Sequence, residues 1–275
     1  MATLPAALEF ASATDPGRVR SHNEDSIGTD PEVGLAVLAD GMGGYNAGEV
    51  ASGIAVAVVS SEIKRALGTR PVYRIDPATG ETEAERITRQ YSLKANTSIF
   101  EAARSQPQYA GMGTTLVVAL FFDNRICVAH VGDSRLYRLR GESFEQITRD
   151  HSLLQEQIDS GMITKEAAKL SQNKNLVTRA LGIDAEVDAE VHVYETRPGD
   201  VYLLCSDGLS DMVEDDDIHI TLTSLQENLQ LTADQLVQQA NDNGGRDNVS
   251  VILIRVIDDY AAPKGWLTRL FSWFK

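Results

Sequence analysis

Four aspartates lie at the ends of apolar stretches, beside glycine or asparagine: Asp40, Asp133, Asp207 and Asp247. A sheet holds its strand ends rigidly, and neighbouring glycines let backbone carbonyls approach a common point. Carboxylates gathered there repel one another. A hard divalent cation neutralises them with oxygen ligands alone, whereas zinc normally recruits histidine or cysteine. The pattern predicts an Mg²⁺ or Mn²⁺ site, and simple Asp-Gly turns are the competing interpretation.

Several charged and polar residues near the N-terminus suit an anionic ligand: Arg18, Arg20, His22, Asn23, Glu24 and Asp25. A guanidinium beside an acidic cluster is either the partner of a surface ion pair or a fork for an anionic substrate. With divalent ions held nearby, Arg20 would face a site whose ligand is phosphate.

Composition excludes several classes of protein. Of the 275 residues, 43% are apolar and 24% charged, which is typical of a globular chain. The formal net charge of −15 disfavours broad nucleic-acid binding. No stretch reaches the roughly 18 apolar residues of a membrane span, and the N-terminus does not resemble a secretory signal. Cys127 and Cys205 lie in apolar runs and indicate buried reduced thiols, so we expect a cytoplasmic protein.

Short strands and long helices must hold the chemical groups in place. Runs rich in β-branched and aromatic residues predict strands at 34–39, 116–122, 125–131, 134–139, 187–193, 201–205 and 249–257. Helical spacing predicts helices at 47–66, about 82–105 and about 233–242. The residues between Phe122 and Arg125 predict a tight hairpin, and the polar segment 151–183 predicts a surface flap.

The order of these elements favours one fold class. Strict alternation of strands and helices is missing, which argues against a doubly wound parallel sheet. We predict an α+β fold with a central sandwich of two mostly antiparallel β-sheets flanked by helices, four layers in the order αββα. A single domain is expected over 1–258, with the flap at about 151–183, followed by a tail over 259–275.

Seven short motifs occur in order over about residues 10–257, and together they resemble the metal-dependent Ser/Thr protein phosphatases of the 2C type in their bacterial form. Each motif is weak alone, but the ordered set is specific. The motifs are Arg20-Ser21-His22-Asn23-Glu24-Asp25-Ser26, Asp40-Gly41-Met42-Gly43-Gly44, Gly113-Thr114-Thr115, Val131-Gly132-Asp133-Ser134-Arg135, Asp150-His151-Ser152, Ser206-Asp207-Gly208-Leu209 and Gly245-Arg246-Asp247-Asn248.

The resemblance implies a centre with two Mn²⁺ or Mg²⁺ ions, and a third in many bacterial members. Asp40 would bridge two ions, with the Gly41 carbonyl as a further ligand. Asp207 and Asp247 would complete the protein ligands of the first ion. Asp133, together with Asp207, matches the position that holds the third ion.

The resemblance also assigns supporting roles. Glu24 and Asp25 would hold metal-bound waters, and Arg20 would bind the substrate phosphate. Asn248 would support the neighbouring carboxylate. Thr114 and Thr115 match a structural motif, for which we expect a packing role.

One position departs from the animal members of the family. They carry a histidine where this chain has Met42, and that histidine is proposed to protonate the leaving alkoxide. A thioether cannot donate a proton. A metal-bound water is therefore the first candidate for the general acid, and His151 is the second.

The implied reaction is hydrolysis of phosphoserine and phosphothreonine on proteins by a metal-bound hydroxide, without a phosphoenzyme. The implied partners are phosphorylated proteins and a cognate Ser/Thr kinase system, and we expect a monomer. One alternative is a phosphatase-like binding module without turnover, although it would usually have lost metal carboxylates. Another is a structural Ca²⁺ protein, for which Asp215 to Asp217 form the only acidic run. No complete Walker pattern supports an NTPase.

The last residues differ in composition from the rest. Between Trp266 and Lys275 six large apolar residues are interspersed with the basic residues Arg269 and Lys275, and both tryptophans of the chain lie here. Such a segment suits peripheral contact with the inner membrane face or with a partner. The alternative is that it folds back and covers an apolar patch.

Overall fold

The computed structural model describes residues 3–44, 47–69, 71–164, 167–168 and 176–262. Its strands are β1 (Leu8–Asp15), β2 (Asp25–Asp30), β3 (Leu35–Met42), β4 (Gly113–Thr114), β5 (Leu116–Phe122), β6 (Arg125–Val131), β7 (Arg135–Arg140), β8 (Ser143–Gln146), β9 (Glu190–Glu195), β10 (Val201–Cys205) and β11 (Val249–Val256). Its helices are α1 (Leu4–Ala7), α2 (Ala47–Leu67), α3 (Glu83–Ser105), α4 (Leu153–Asp159), α5 (Asp207–Ser210), α6 (Asp215–Leu225) and α7 (Leu229–Asp242), with a 3₁₀ turn at Pro107–Tyr109.

The strands form two antiparallel sheets. One has the order β1-β11-β10-β7-β8, and the other has the order β2-β3-β5-β6-β9, with β4 paired to β3. Side chains alternate across each strand, so every central strand contributes to two apolar layers. On β3, for example, Leu38 faces the other sheet while Val37 faces the helices.

Three apolar cores hold the layers together. The core between the sheets includes Leu38, Phe121 and Tyr202. The rings of Phe121 and Tyr202 pack edge to face, with 5.4 Å between their centroids. Helices α2 and α3 cover the second sheet, and α6 and α7 cover the first. The predicted αββα sandwich of two mostly antiparallel sheets is confirmed.

Local sequence signals explain where several elements start and turn. Thr82 caps α3: its Oγ1 accepts the Glu85 N–H, and the Glu85 carboxylate accepts the Thr82 N–H at 2.8 Å. The hairpin between β5 and β6 has Asp123 and Asn124 at φ of 47° and 54°. Two consecutive left-handed residues match the twist of the flanking strands, so the predicted tight hairpin is confirmed.

The structure corrects two expectations from periodicity. The last helix begins at Leu229 rather than near 233, because the Asn228 side chain caps it by accepting the Leu231 N–H at 3.1 Å. Thr232, expected at the helix start, is buried in the first turn. The strands β1, β2 and β8 were not predicted, since polar residues interrupt their apolar alternation.

The tail prediction lies mostly outside the described residues, which stop at Ala262. Before that point Tyr260 is buried and its hydroxyl lies 2.6 Å from Thr196 Oγ1, so the chain follows the domain surface to there. No described helix has the length and hydropathy needed to cross a bilayer.

Candidate active site

A polar cleft of about 270 Å³ opens at the end of the sandwich where β3, β6 and β10 end. It brings together all four aspartates that the sequence singled out, although they are far apart in the chain. Its lining consists of Arg20, Glu24, Asp40, Gly41, Met42, Gly43, Thr115, Asp133, Val177, Asp207 and Asp247. The predicted convergence of strand-end carboxylates is therefore present.

Asp40 near the end of β3 is held by its backbone. Its N–H donates to Thr115 Oγ1 at 3.0 Å, and its carbonyl oxygen accepts from Thr114 Oγ1 at 2.8 Å and from the Thr115 N–H at 2.9 Å. Thr115 Oγ1 also lies 2.7 Å from Ser134 Oγ. Sequence reasoning gave both threonines a packing role only, and their hydroxyls in fact fix the orientation of Asp40.

Asp207 and Asp247 approach each other because β10 and β11 are neighbours in one sheet. Asp207 opens α5 after β10, and Asp247 lies just before β11. A Cβ on Gly208 would collide with the Asn248 carbonyl, so only glycine allows the two strand ends to come this close.

Burial and mutual repulsion dominate the electrostatics of the cleft. Burial raises the pKa of Asp40 and of Asp207 well above the usual range, and the neighbouring carboxylates raise both further. Burial also raises the pKa of Asp133 to about 6, with the charge of Asp150 as the next cause. Such a set favours bound positive charge over ionised carboxylates alone.

Asp25 lies behind Asp40, as its cross-strand partner in the β2–β3 ladder. Its Oδ2 accepts from Ser206 Oγ at 2.8 Å, while its Oδ1 is buried without a protein partner. Burial raises its pKa to about 6. A buried carboxylate oxygen with no partner is the expected signature of a site for an ion or for water bound to one.

Asn248 fastens the N-terminal loop that carries Glu24. Its Oδ1 accepts the Glu24 N–H at 2.8 Å, and its Nδ2 donates to the carbonyls of Pro16 and His22 at 3.0 and 2.8 Å. The support for Asp247 comes from the Asn248 backbone, whose N–H donates to Asp247 Oδ1 at 2.9 Å. The side chain therefore serves the loop, a role that the sequence did not suggest.

Arg20 lies at the rim, with its side chain about half exposed, and its Nη2 donates to Asp247 Oδ2 at 2.7 Å. The ion pair aims the guanidinium at the carboxylate cluster, and Arg20 lines the cleft. Both roles considered from the sequence, ion-pair partner and anion fork, are compatible with this position.

The donor set fits Mg²⁺ or Mn²⁺. The described lining offers carboxylate and backbone oxygens and contains neither histidine nor cysteine. Cys127 and Cys205 are buried elsewhere, and burial raises the pKa of each thiol to about 12, so neither resembles an activated nucleophile.

His151 does not line the cleft. Its Nδ1 accepts the Gly132 N–H at 3.1 Å, and its Nε2 lies 3.0 Å from Glu190 Oε1. Because both ring nitrogens are engaged away from the cleft, His151 is not placed to protonate a leaving group there.

Comparison with known proteins agrees with this geometry. A family model described as Protein phosphatase 2C matches residues 18–244. The serine/threonine phosphatase stp of Listeria welshimeri is 38% identical over 244 residues, which cover 88% of this chain and 93% of that protein. The serine/threonine protein phosphatase PstP of Mycobacterium tuberculosis is 38% identical over 274 residues, which cover 99% of this chain and 50% of that protein.

Solved structures give the same result. The crystal structure of the Mycobacterium tuberculosis phosphatase PstP matches with a TM-score of 0.81 and 37% identity, covering 91% of this chain and 99% of that one. The catalytic domain of PstP in complex with two manganese ions matches with a TM-score of 0.79, 37% identity and the same coverage. Stp1 from Staphylococcus aureus matches with a TM-score of 0.79 and 35% identity, covering 94% and 98%.

Proposed function

This chain belongs to the protein phosphatase 2C family, and from that premise we propose that its acidic cleft hydrolyses phosphoserine and phosphothreonine on proteins. The enzyme is a metal-dependent protein serine/threonine phosphatase. The observation that carries the assignment of the site is the convergence of Asp40, Asp207 and Asp247 on one cleft.

The metal centre is proposed on the residues that the structure brings together. Asp40 and the Gly41 carbonyl would serve two ions, and Asp207 and Asp247 would complete the first. Asp133, with Asp207, would hold a third. When bound, the cations neutralise the carboxylates, lower the pKa of water towards neutrality to supply hydroxide, and stabilise charge in an in-line displacement.

Side chains around the ions have separate tasks. Asp25 and Glu24 would orient water, and the unpartnered Asp25 Oδ1 supports that role. Arg20 would bind two non-bridging oxygens of the phosphoryl group, since a guanidinium presents paired donors to an oxyanion. Its half-exposed position at the rim leaves it accessible to a phosphoprotein.

The leaving oxygen of serine or threonine needs a proton. Met42 lines the cleft but has no proton to donate, and His151 uses both ring nitrogens elsewhere. We therefore assign protonation to water in the cleft rather than to either side chain.

The wider setting is proposed on the same basis. The catalytic domain would span 1–258 with the flap at about 151–183, and Val177 of that flap lines the cleft. Substrates would be proteins phosphorylated by a cognate Ser/Thr kinase in the cytoplasm, and the enzyme would act as a monomer. The tail from 259 to 275 would add a peripheral contact with the membrane or a partner, or fold back onto the domain.

A metal-titrated assay tests the function. Phosphate release from phosphoserine, phosphothreonine and phosphotyrosine peptides is measured against Mn²⁺ and Mg²⁺, and with p-nitrophenyl phosphate. We expect metal-dependent turnover of the first two peptides that Asp40→Asn or Asp247→Asn abolishes. Asp234→Asn, an exposed carboxylate on α7, is the matched control.

Three outcomes would contradict the proposal. Full turnover in both cleft variants would exclude the site, and peptide binding without turnover by the wild-type enzyme would favour the binding-module alternative. A trapped covalent phosphoenzyme would contradict direct attack by water.

A further inference from the structure

His130, His151 and Glu190 form a compact group beside the flap, outside the cleft. Their candidate ligand atoms all lie within 4.8 Å of one another, which resembles a metal site. The hydrogen bonds indicate otherwise. The Gly132 N–H can only donate, so His151 Nδ1 accepts it, while Nε2 lies 3.0 Å from Glu190 Oε1 and 3.3 Å from Arg179 Nη1. Arg179 also lies 3.7 Å from Glu190 Oε1, and its positive charge opposes a cation there.

His151 instead forms two hydrogen bonds with the backbone of Gly132. Besides the bond to Nδ1, the His151 N–H donates to the Gly132 carbonyl at 2.9 Å, so both polar groups of this glycine are paired with one residue. On its other side Gly132 is packed against Thr115: a Cβ would lie 2.7 Å from Thr115 Cγ2. At a φ of 103°, Gly132 is fixed between His151 and the threonine that orients Asp40.

The next residue in the chain is Asp133, which lines the cleft. The position of its Cα follows from the position of Gly132. Further along, Arg135 donates three hydrogen bonds of 2.7 to 3.1 Å to Asp150, the neighbour of His151. Asp150 and His151 therefore fasten the loop that carries Asp133 at both of its ends.

The same histidine also holds the returning end of the flap. Its carbonyl accepts the Thr178 N–H at 2.8 Å, next to a bridge between Ser152 and Val177. Val177 lines the cleft. The ring is kept in place by stacking on His130, with 4.7 Å between the centroids and 21° between the planes.

We propose that His151 is a positioning residue that fixes Asp133 through Gly132 and joins the flap to the same loop. This inference rests on the proposed function, because it assigns Asp133 to a cation site. Loss of the Nδ1 acceptor would free the Gly132 N–H and let the Asp133 carboxylate move. Substitutions of groups that orient a metal ligand typically weaken metal affinity on the order of 10- to 100-fold.

Two conservative variants separate the contacts of the ring. In His151→Asn the amide oxygen takes the place of Nδ1, and in His151→Gln the amide takes the place of Nε2. Mn²⁺ binding is measured by calorimetry, and exchange of the Gly132 amide is followed by hydrogen–deuterium exchange. The exposed His192 on β9, changed to Asn and Gln, provides the matched controls.

We expect His151→Gln to lose the weakest Mn²⁺ site or weaken it at least about tenfold, with faster exchange at Gly132, and His151→Asn to stay close to the wild type. Wild-type Mn²⁺ binding in both variants would overturn the proposal. Equal loss of Mn²⁺ binding in both variants would also overturn it, because that result would indicate that only the packing of the ring matters. Wild-type Mn²⁺ binding in His151→Gln but not in His151→Asn would overturn it as well, because it would indicate that the contact with Glu190 is the important one.

A double-mutant cycle covers the case in which a variant folds poorly. With Asp133→Ala as background, His151→Gln is expected to cause no further loss of Mn²⁺ binding, and an additive loss would overturn the proposal. Asp40→Asn is assayed alongside. Turnover by Asp40→Asn would contradict the proposed function, whereas an inactive Asp40→Asn with wild-type behaviour of His151→Gln would contradict only this inference.

Discussion

Asp25 and Asp40 face each other across the β2–β3 ladder, with Asp40 partly buried in the lining of the cleft and Asp25 buried behind it. Asp25 has one oxygen bound to Ser206 and the other without a protein partner. Two adjacent carboxylates with little access to solvent are costly when both are ionised. In the metal-free protein, repulsion between these carboxylates therefore raises the free energy of the folded state. Bound cations would remove this electrostatic penalty.

This penalty predicts a pH dependence of stability for the metal-free protein. The pKa of Asp25 is raised to about 6 by burial, so its stabilising contribution is complete below its unfolded pKa and is lost as pH rises through about 6. Without metal, we expect the unfolding free energy of Asp25→Asn to exceed that of the wild type by up to about 3 kcal/mol at about pH 7.5. At about pH 4 the two proteins should differ little. Urea unfolding in the presence of a metal chelator measures the difference at each pH.

Excess Mn²⁺ should reverse that difference, because the wild type would gain more from the ions than Asp25→Asn. The matched control is Asp30→Asn at the other end of β2, where the carboxylate pairs with Lys64 at 2.6 Å. The control should change the unfolding free energy by about 1 kcal/mol or less at any pH. A pH-independent effect of Asp25→Asn would contradict the assignment.

Arg20 is expected to act on the substrate rather than on stability. We expect Arg20→Ala to raise KM for phosphopeptides about 10- to 100-fold at saturating Mn²⁺, the usual worth of a charged hydrogen bond. Arg20→Lys should recover only part, because lysine lacks the paired donors of the guanidinium. Steady-state kinetics with thermal melting checks both, and Arg18→Ala in the same exposed loop is the control. An unchanged KM would leave Arg20 with a surface ion pair only.

The Thr115 hydroxyl should matter more than its volume. Thr115→Val keeps the shape but removes the acceptor of the Asp40 N–H, which should cost about 1–3 kcal/mol of unfolding free energy and weaken Mn²⁺ binding. Thr115→Ser should restore most of both. Urea unfolding and Mn²⁺ titration give the two readouts, with Thr97→Val on the exposed face of α3 for comparison. Equal effects of Val and Ser would point to packing instead.

Asn248 should control the order of the N-terminal loop. Asn248→Ala removes its bonds to Glu24, Pro16 and His22, and we expect a loss of about 2–4 kcal/mol with faster amide exchange over residues 16–25. Asn243→Ala, which removes a single exposed bond to Met212, should leave that exchange unchanged. Unchanged exchange in Asn248→Ala would show that other contacts hold the loop.

Local signals in the sequence determined much of this protein. Helices and central strands follow from hydrophobic spacing, the hairpin from Asp123-Asn124, and the oxygen-only donor set from aspartates at strand ends. These features depend on neighbours within a few residues. The strand β1 was missed because it is stabilised by pairing with β11, which is distant in the chain, and β2 and β8 were missed because polar residues interrupt their alternation, although each pairs with an adjacent strand.

Only the tertiary structure decided how the site is supported. Asn248 is hydrogen-bonded to Glu24, 224 residues away in the chain, and Ser206 to Asp25, 181 residues away. His151 is hydrogen-bonded to Gly132. None of these pairs has a spacing that a helix or strand would impose, since each forms only when the two sheets pack. The sequence thus determined which chemical groups are available, and tertiary packing determined which side chains hold those groups in position.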